Sequence, residues 1–268
     1  MNKQSNKRFD DLINYIEENL CEEISYKKLS QILGVNEYTM QRIFLFVTNY
    51  TLGEYIRKRK LSMSALDLLG GRERIIDIAI KYGYESSQAF SRAFKAMMGF
   101  LPSEVQKNKN EIKFFPKYEI SNEKITDAFN YHVEKNVEFK LYAISMKTTI
   151  KGCHKDAPNF WKENSNVISG KKQYGLLMYD KTCSNDEATY YIASNVKFES
   201  SKEIHIKKAN YLVFELEFKN ADYLYEYSSK AYRTIIPDSG HELEDLPDVE
   251  EYLPNNNLKL YIPIKWLF

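Results

Sequence analysis

At 268 residues, with 43% hydrophobic and 14% aromatic content, the chain has room for two ordinary domains and the composition of a globular protein. It contains no run of about eighteen apolar residues, which excludes a membrane-spanning helix. The polar opening MNKQSNKRFDD has no signal-peptide core, so a cytoplasmic location is expected. The net charge of +1 hides an asymmetry: residues 1–108 carry 16 Lys and Arg against 13 Asp and Glu, a net +3, and residues 109–268 carry 22 against 24, a net −2. A basic front and a slightly acidic rear suit a nucleic-acid-binding module joined to something else.

The first predicted helix, residues 8–20, places Phe9, Leu12, Ile13 and Ile16 at helical spacing. A second starts after Ser25, a plausible N-cap, carries Leu29 and Leu33, and breaks at Gly34-Val35. Asn36 can cap the third, Glu37 to Val47. Its Met40, Ile43, Phe44 and Val47 form a buried stripe, and its free face holds Tyr38, Thr39, Gln41 and Arg42. Leu52 to Leu69 reads as a long helix with Ile56, Met63, Leu66 and Leu69 on or near one side. Its run Arg57-Lys58-Arg59-Lys60 is either a solvated face or a phosphate strip, and a mixture is expected, with one or two of the four on the DNA backbone.

Ile75, Ile78 and Ala79 then give a short helix its apolar stripe, and Tyr82-Gly83-Tyr84 breaks it, with Gly83 free to take a positive φ. The helix that follows, from about Ser86 to Met98, turns Ala89, Phe90, Ala93, Phe94 and Met97 inward. Its other face shows Ser87, Gln88, Ser91, Arg92 and Lys95, polar groups and donors without a carboxylate, suited to base edges and phosphates. Taken alone, such a pair of helices reads equally well as a solvated amphipathic pair.

An internal repeat decides between these readings. Leu29-Ser30…Leu33-Gly34-Val35 matches Ile78-Ala79…Tyr82-Gly83-Tyr84 at an offset of 49, and Gln41-Arg42-x-Phe44 matches Ser91-Arg92-x-Phe94 at 50. Two copies of a helix-turn-helix, joined by a rigid helix, would place two recognition helices in successive major-groove segments about 34 Å apart. Arg42 and Arg92 are the strongest candidates for reading guanine or gripping phosphate, because a guanidinium pairs bidentately with either.

The run from Lys60 to Pro102, with Ile78-Ala79, Tyr82-Gly83-Tyr84, Phe90 and Phe94, then Gly99 and Pro102, resembles the AraC/XylS family signature. The resemblance implies a bacterial transcription regulator acting on double-stranded DNA, with activation the expected sign and RNA polymerase a partner. Family contacts carry over to Tyr38, Gln41 and Arg42 on one helix and to Ser87, Gln88, Ser91 and Arg92 on the other. The alternative for Tyr38 is a hydrophobic prop under the first unit, and the DNA contact is the favoured reading.

From Lys107 to Asp127 the pattern dissolves into a polar stretch broken by Pro116, so residues 109–126 read as a linker between a domain at 1–108 and one at 127–268. Phe114-Phe115 is placed to pin it to one of them. Beyond it the period becomes two. Val137–Ile150, Tyr174–Tyr179, Thr189–Val196, Glu203–Phe218 and Leu258–Ile264 read as strands. One helix is expected after Asp156, with Pro158 in its first turn, and another from about Asn220 to Pro237. The order strand, helix, strand, strand occurs twice, so the fold expected is an all-α double helix-turn-helix domain followed by an α+β domain of two such modules.

This second half resembles the gyrase-inhibitor-like effector domain, through Ala209-Asn210-Tyr211-Leu212-Val213-Phe214, Ile236-Pro237-Asp238-Ser239-Gly240-His241-Glu242, Asp248-Val249-Glu250-Glu251-Tyr252 and Tyr261-Ile262-Pro263-Ile264-Lys265. The resemblance implies a pocket for a small, apolar or cationic effector, with hydrolysis or drug sequestration as the alternative activity. Period two puts Glu250 and Tyr252 on one strand face, and the family match turns that face to the pocket. Tyr211, Tyr261 and Trp161 are candidates for cation–π walls, and Glu215 is the competing acid. The cysteines Cys21, Cys153 and Cys183 lie far apart, and the four histidines have no metal-ligand spacing, so neither metal nor cofactor is expected. Adjacent residues point apart on a strand, which makes Cys153-His154 a poor catalytic pair.

Overall fold

The computed structural model describes residues 3–119, 129–179, 187–235 and 241–265. Cys183, the linker after residue 119, the Ile236 to Gly240 part of the effector motif and the predicted helix end at Pro237 lie outside the described residues. Helices run in the order α1 (Lys3–Glu18), α2 (Tyr26–Leu33), α3 (Glu37–Thr48), α4 (Leu52–Gly70), α5 (Ile75–Lys81) and α6 (Ser87–Met98). The chain forms two compact units. One holds Lys3–Glu37 and Tyr50–Asn122; the other holds Tyr38–Asn49 and Glu123–Phe268.

In the helical unit the caps come from hydroxyls. Ser25 Oγ accepts the Lys28 amide at 3.2 Å, Thr51 Oγ1 that of Glu54 at 3.2 Å, and Ser86 Oγ that of Ala89 at 3.1 Å. Gly34 and Gly83, the two turn glycines of the repeat, take nearly the same left-handed conformation, with φ of 76° and 79°. The second repeat builds its core from Leu61, Ala65 and Leu68 of α4, Ile78 and Ala79 of α5, and Phe90, Phe94 and Met98 of α6. The basic run on α4 divides by partner. Arg59 is buried and paired with Glu17 at 2.7 Å, and it donates to the Phe115 carbonyl, which removes it from any phosphate strip. Lys58 lies over the Tyr50 ring at 4.7 Å, and Arg57 stays exposed. Phe115 packs edge-on against Tyr50 and Tyr55, so the aromatic pin belongs to this unit.

In the second unit the elements are β1 (Tyr131–Thr149), α7 (Cys153–Glu163), α8 (Ser165–Ile168), β2 (Gln173–Tyr179), β3 (Glu187–Ser194), β4 (Lys202–Glu217), α9 (Ala221–Lys230), β5 (Glu242–Leu243), β6 (Asp248–Leu253) and β7 (Asn257–Lys265). A strand-helix-strand-strand order is thus met twice. Six strands pair antiparallel in the order β4-β1-β3-β2-β6-β7, and β4 also pairs with β7, which closes the ring. Alternation sends Phe139, Leu141, Tyr174, Leu176, Tyr211, Val213, Val249 and Tyr261 into one apolar cluster. The other strand faces pack with the helices: Leu212, Phe214, Leu260 and Ile262 with Leu224 of α9, and Tyr190 and Ile192 with Cys153 and Ala157 of α7.

Two differences from the sequence reading bear on function. Helix α7 starts at Cys153 and runs through Pro158, so Cys153 and His154 stand on a first helical turn, not on a strand. That turn is tied down by Thr148 Oγ1 donating to Asp156 at 2.6 Å and by the Gly152 amide donating to Thr149 Oγ1 at 2.8 Å. The second difference is α3, whose residues from Tyr38 cluster with the β-rich unit although sequence placed all of 1–108 in one domain. Its apolar residues go all the way round: Met40, Phe44, Leu45, Phe46 and Val47 are all buried, as are Thr39 and Arg42. A helix apolar on every side must be covered on every side.

Candidate ligand cavity and nucleic-acid interface

Between α7 and α9 the β-rich unit holds a cavity of about 520 Å³. Helix α7 contributes His154 and Trp161, α9 contributes Leu224 and Tyr225, and β6 contributes Asp248, Glu250 and Tyr252; Phe46 of α3 completes the wall. The volume is within the range of small-molecule sites, and the lining has their usual make-up of apolar and aromatic surface with a few convergent polar groups.

Glu250 is the polar centre. Its Oε2 accepts hydrogen bonds from the Tyr190 hydroxyl at 3.0 Å and the Tyr252 hydroxyl at 2.9 Å, and Tyr190 in turn accepts one from Trp161 Nε1 at 3.0 Å. Burial pushes the Glu250 carboxyl up, against the pull of the two tyrosines, and the nearby Asp248 charge adds to the rise. Gly175 faces Glu250 in the β2–β6 register, and a Cβ there would run into both the Glu250 carboxylate and the Tyr190 hydroxyl. The ring of Tyr252 packs between Trp161, 5.2 Å away, and Phe218, 5.3 Å away.

Asp248 is the second acid of the wall. It accepts from the Tyr232 hydroxyl at 3.0 and 2.9 Å and is ion-paired to Arg42. Burial raises its carboxyl and the Arg42 charge opposes that rise. His154 stacks on Tyr225 at 4.9 Å, and its buried Nδ1 has no hydrogen-bond partner among the described residues. Burial, with the Glu250 charge, pushes the Cys153 thiol well up, so it stays protonated and a poor nucleophile.

Of the six residues proposed from sequence for the ligand, Glu250, Tyr252 and Trp161 line this cavity. The other three do not. Tyr211 and Tyr261 fall in the apolar cluster on the opposite strand faces, where Tyr261 donates to buried Glu251 at 2.8 Å. Glu215 is exposed and paired with Lys259 at 3.2 Å. An aromatic strand residue carries no mark of which face it takes, so sequence alone leaves Tyr211 and Tyr261 free to face either side. Asp248 was legible from its place two residues before Glu250. Gly175, a lone glycine within a strand, is the usual mark of a close approach.

On α6, Gln88, Arg92 and Lys95 are exposed and Ser87 and Ser91 half-buried, opposite the buried Phe90, Phe94 and Met98. This face can meet a major groove directly. On α3, Gln41 is half-buried, and Arg42, expected on a free face, is 1% exposed. Its guanidinium lies 4.7 Å from the Tyr232 ring centre and pairs with Asp248. The side chain of Tyr38 lies outside the described residues.

Residues 29–108 match the family described as a helix-turn-helix domain, and residues 133–264 match the integron-associated effector binding protein family. The transcriptional activator AarP of Providencia stuartii is 37% identical over 93 residues, covering 35% of this chain and 69% of AarP. Regulatory protein SoxS of Escherichia coli K12 is 37% identical over 98 residues, which is 37% of this chain and 92% of SoxS. The integron cassette protein Cass2 from Vibrio cholerae is 12% identical, with a TM-score of 0.43 over 50% of this chain and 95% of that one.

Proposed function

The chain belongs to the AraC-type helix-turn-helix transcriptional regulators and carries an integron-associated effector-binding domain, and from that premise we propose that it is a cytoplasmic activator switched by a lipophilic cation. The helix-turn-helix repeat binds duplex DNA, and the cavity of the β-rich unit binds the effector. The observation that carries the effector's chemistry is Glu250. Among the described residues no cation pairs with this half-buried carboxylate, which sits against Tyr190, Tyr252 and Trp161, and a ligand cation would supply the partner. Activation is supported by the similarity to AarP, a transcriptional activator, and RNA polymerase is the partner that activation would require.

Calorimetry on a matched pair tests the effector reading. A quaternary aryl-ammonium and its neutral tert-butyl isostere have the same shape and differ in charge. The wild type is expected to bind the cation more tightly, and Glu250→Gln to lose affinity for the cation alone. Equal losses for both compounds would remove the carboxylate from recognition. Run-off transcription with purified polymerase tests the sign of regulation.

A further inference from the structure

The two residues of α3 that meet the β-rich unit most intimately are Arg42 and Phe46. Arg42 is buried, ion-paired to Asp248, and lies over the Tyr232 ring. Phe46 stacks on the same ring, 4.6 Å between centres and 16° from parallel. The Phe46 carbonyl, near the C-terminus of α3, accepts hydrogen bonds from Ser229 Oγ at 3.0 Å and from Arg233 Nε. Arg233 also donates to Asn49 Oδ1 at 3.1 Å. A cation at a helix C-terminus complements the helix dipole, so Arg233 holds the helix end by charge as well as by hydrogen bonding.

A recognition helix with this coat cannot read DNA. The major groove, about 12 Å wide, admits a helix of about 10–12 Å diameter and little else, so protein packed along the outer side of α3 blocks entry. Arg42 also has one guanidinium fork, and a fork engaged by a carboxylate and stacked on a tyrosine is unavailable to guanine or phosphate. We propose that the β-rich unit and DNA compete for α3, with Arg42–Asp248 and Phe46–Tyr232 forming an intramolecular lock that hides the first recognition helix until it opens. This inference rests on the reading of α3 as a DNA-contacting helix. Asp248 and Phe46 also line the cavity, so the lock and the ligand site share two residues.

The test uses the full chain, a duplex selected from a random library with the Asp248→Ala protein, and two readouts: DNA affinity and amide exchange over residues 38–49. Asp248→Ala and Arg233→Ala each attack the lock from a different side, and Arg233 lies outside the cavity, so one variant serves if the other misfolds. Both are expected to bind DNA about tenfold more tightly than the wild type, as the fraction of α3 free to bind rises. Both are also expected to lose exchange protection at residues 38–49. Protection and DNA affinity both unchanged would overturn the lock. Protection lost with DNA affinity unchanged would overturn instead the reading of α3 as a DNA helix, and with it the competition.

Discussion

Gly175 stands opposite Glu250 across β2 and β6, and the space its missing side chain leaves is filled by the Glu250 carboxylate and the Tyr190 hydroxyl. A methyl group at 175 would push both aside. Gly175→Ala is therefore expected to weaken cation binding while the ring of strands still forms, at a cost of about 1–3 kcal/mol in stability from overpacking. Thermal unfolding and calorimetry on the same preparation separate the two effects. A variant that keeps wild-type affinity would show that the Glu250–Tyr190 contact is dispensable to the site.

The pH dependence follows from the burial of Glu250. Its carboxyl is raised above the ordinary 4.5, so the folded protein holds a proton that the unfolded chain has released. That contributes stability at low pH, which is lost as pH climbs from the unfolded value through the folded one. Ligand binding has the opposite sign, because a cation favours the ionised form: affinity is expected to rise with pH across the same window and then level off. Binding should release a proton, seen as a dependence of the calorimetric heat on buffer. Glu250→Gln should reduce both slopes, leaving in the stability profile the part that the raised Asp248 carboxyl contributes; slopes unchanged in that variant would assign the titration to another group.

The face of α6 makes a separate claim. Gln88, Arg92 and Lys95 are exposed on a helix capped by Ser86 and anchored by Phe90 and Phe94. Arg92→Ala is expected to weaken specific DNA binding by about 1–3 kcal/mol and relax specificity at one segment of the site. Lys95→Ala should weaken binding to all sequences alike and lower the salt dependence. Footprints of the wild type and the Arg92 variant check this. A loss at Arg92 that is uniform over sequences would make it a phosphate contact.

Much of this was legible in the chain. The two turn glycines, Gly34 and Gly83, sit in matching halves of a repeat because both must enter the left-handed region, which few other residues tolerate. Period two on β6 puts Glu250 and Tyr252 on one face without any structure. The burial of α3 is not legible in an amphipathic pattern. Met40, Ile43, Phe44 and Val47 form one such stripe, and Leu45 and Phe46 are apolar on the remaining side. Arg42 falls on the free face of that stripe and is nonetheless buried. For Tyr211 and Tyr261 the ambiguity is a different one: in a closed ring of strands both faces are buried, so an aromatic residue fits either.

The last expectation joins the two sites. Asp248 belongs at once to the cavity wall and to the ion pair that holds Arg42. A cation that draws Asp248 toward itself weakens the hold on α3, so the quaternary ammonium probe should raise the wild type's affinity for DNA. Linkage makes the effect reciprocal: DNA must raise affinity for the probe by the same factor, and couplings of this kind run to about 1–3 kcal/mol. In Asp248→Asn the probe still has Glu250 to pair with, but the lock is already weakened, so probe binding should leave DNA affinity nearly unchanged. Titrating DNA at several probe concentrations, and the probe at several DNA concentrations, measures both sides. A coupling of the same size in wild type and Asp248→Asn would show that the cavity speaks to DNA by a route that bypasses Arg42.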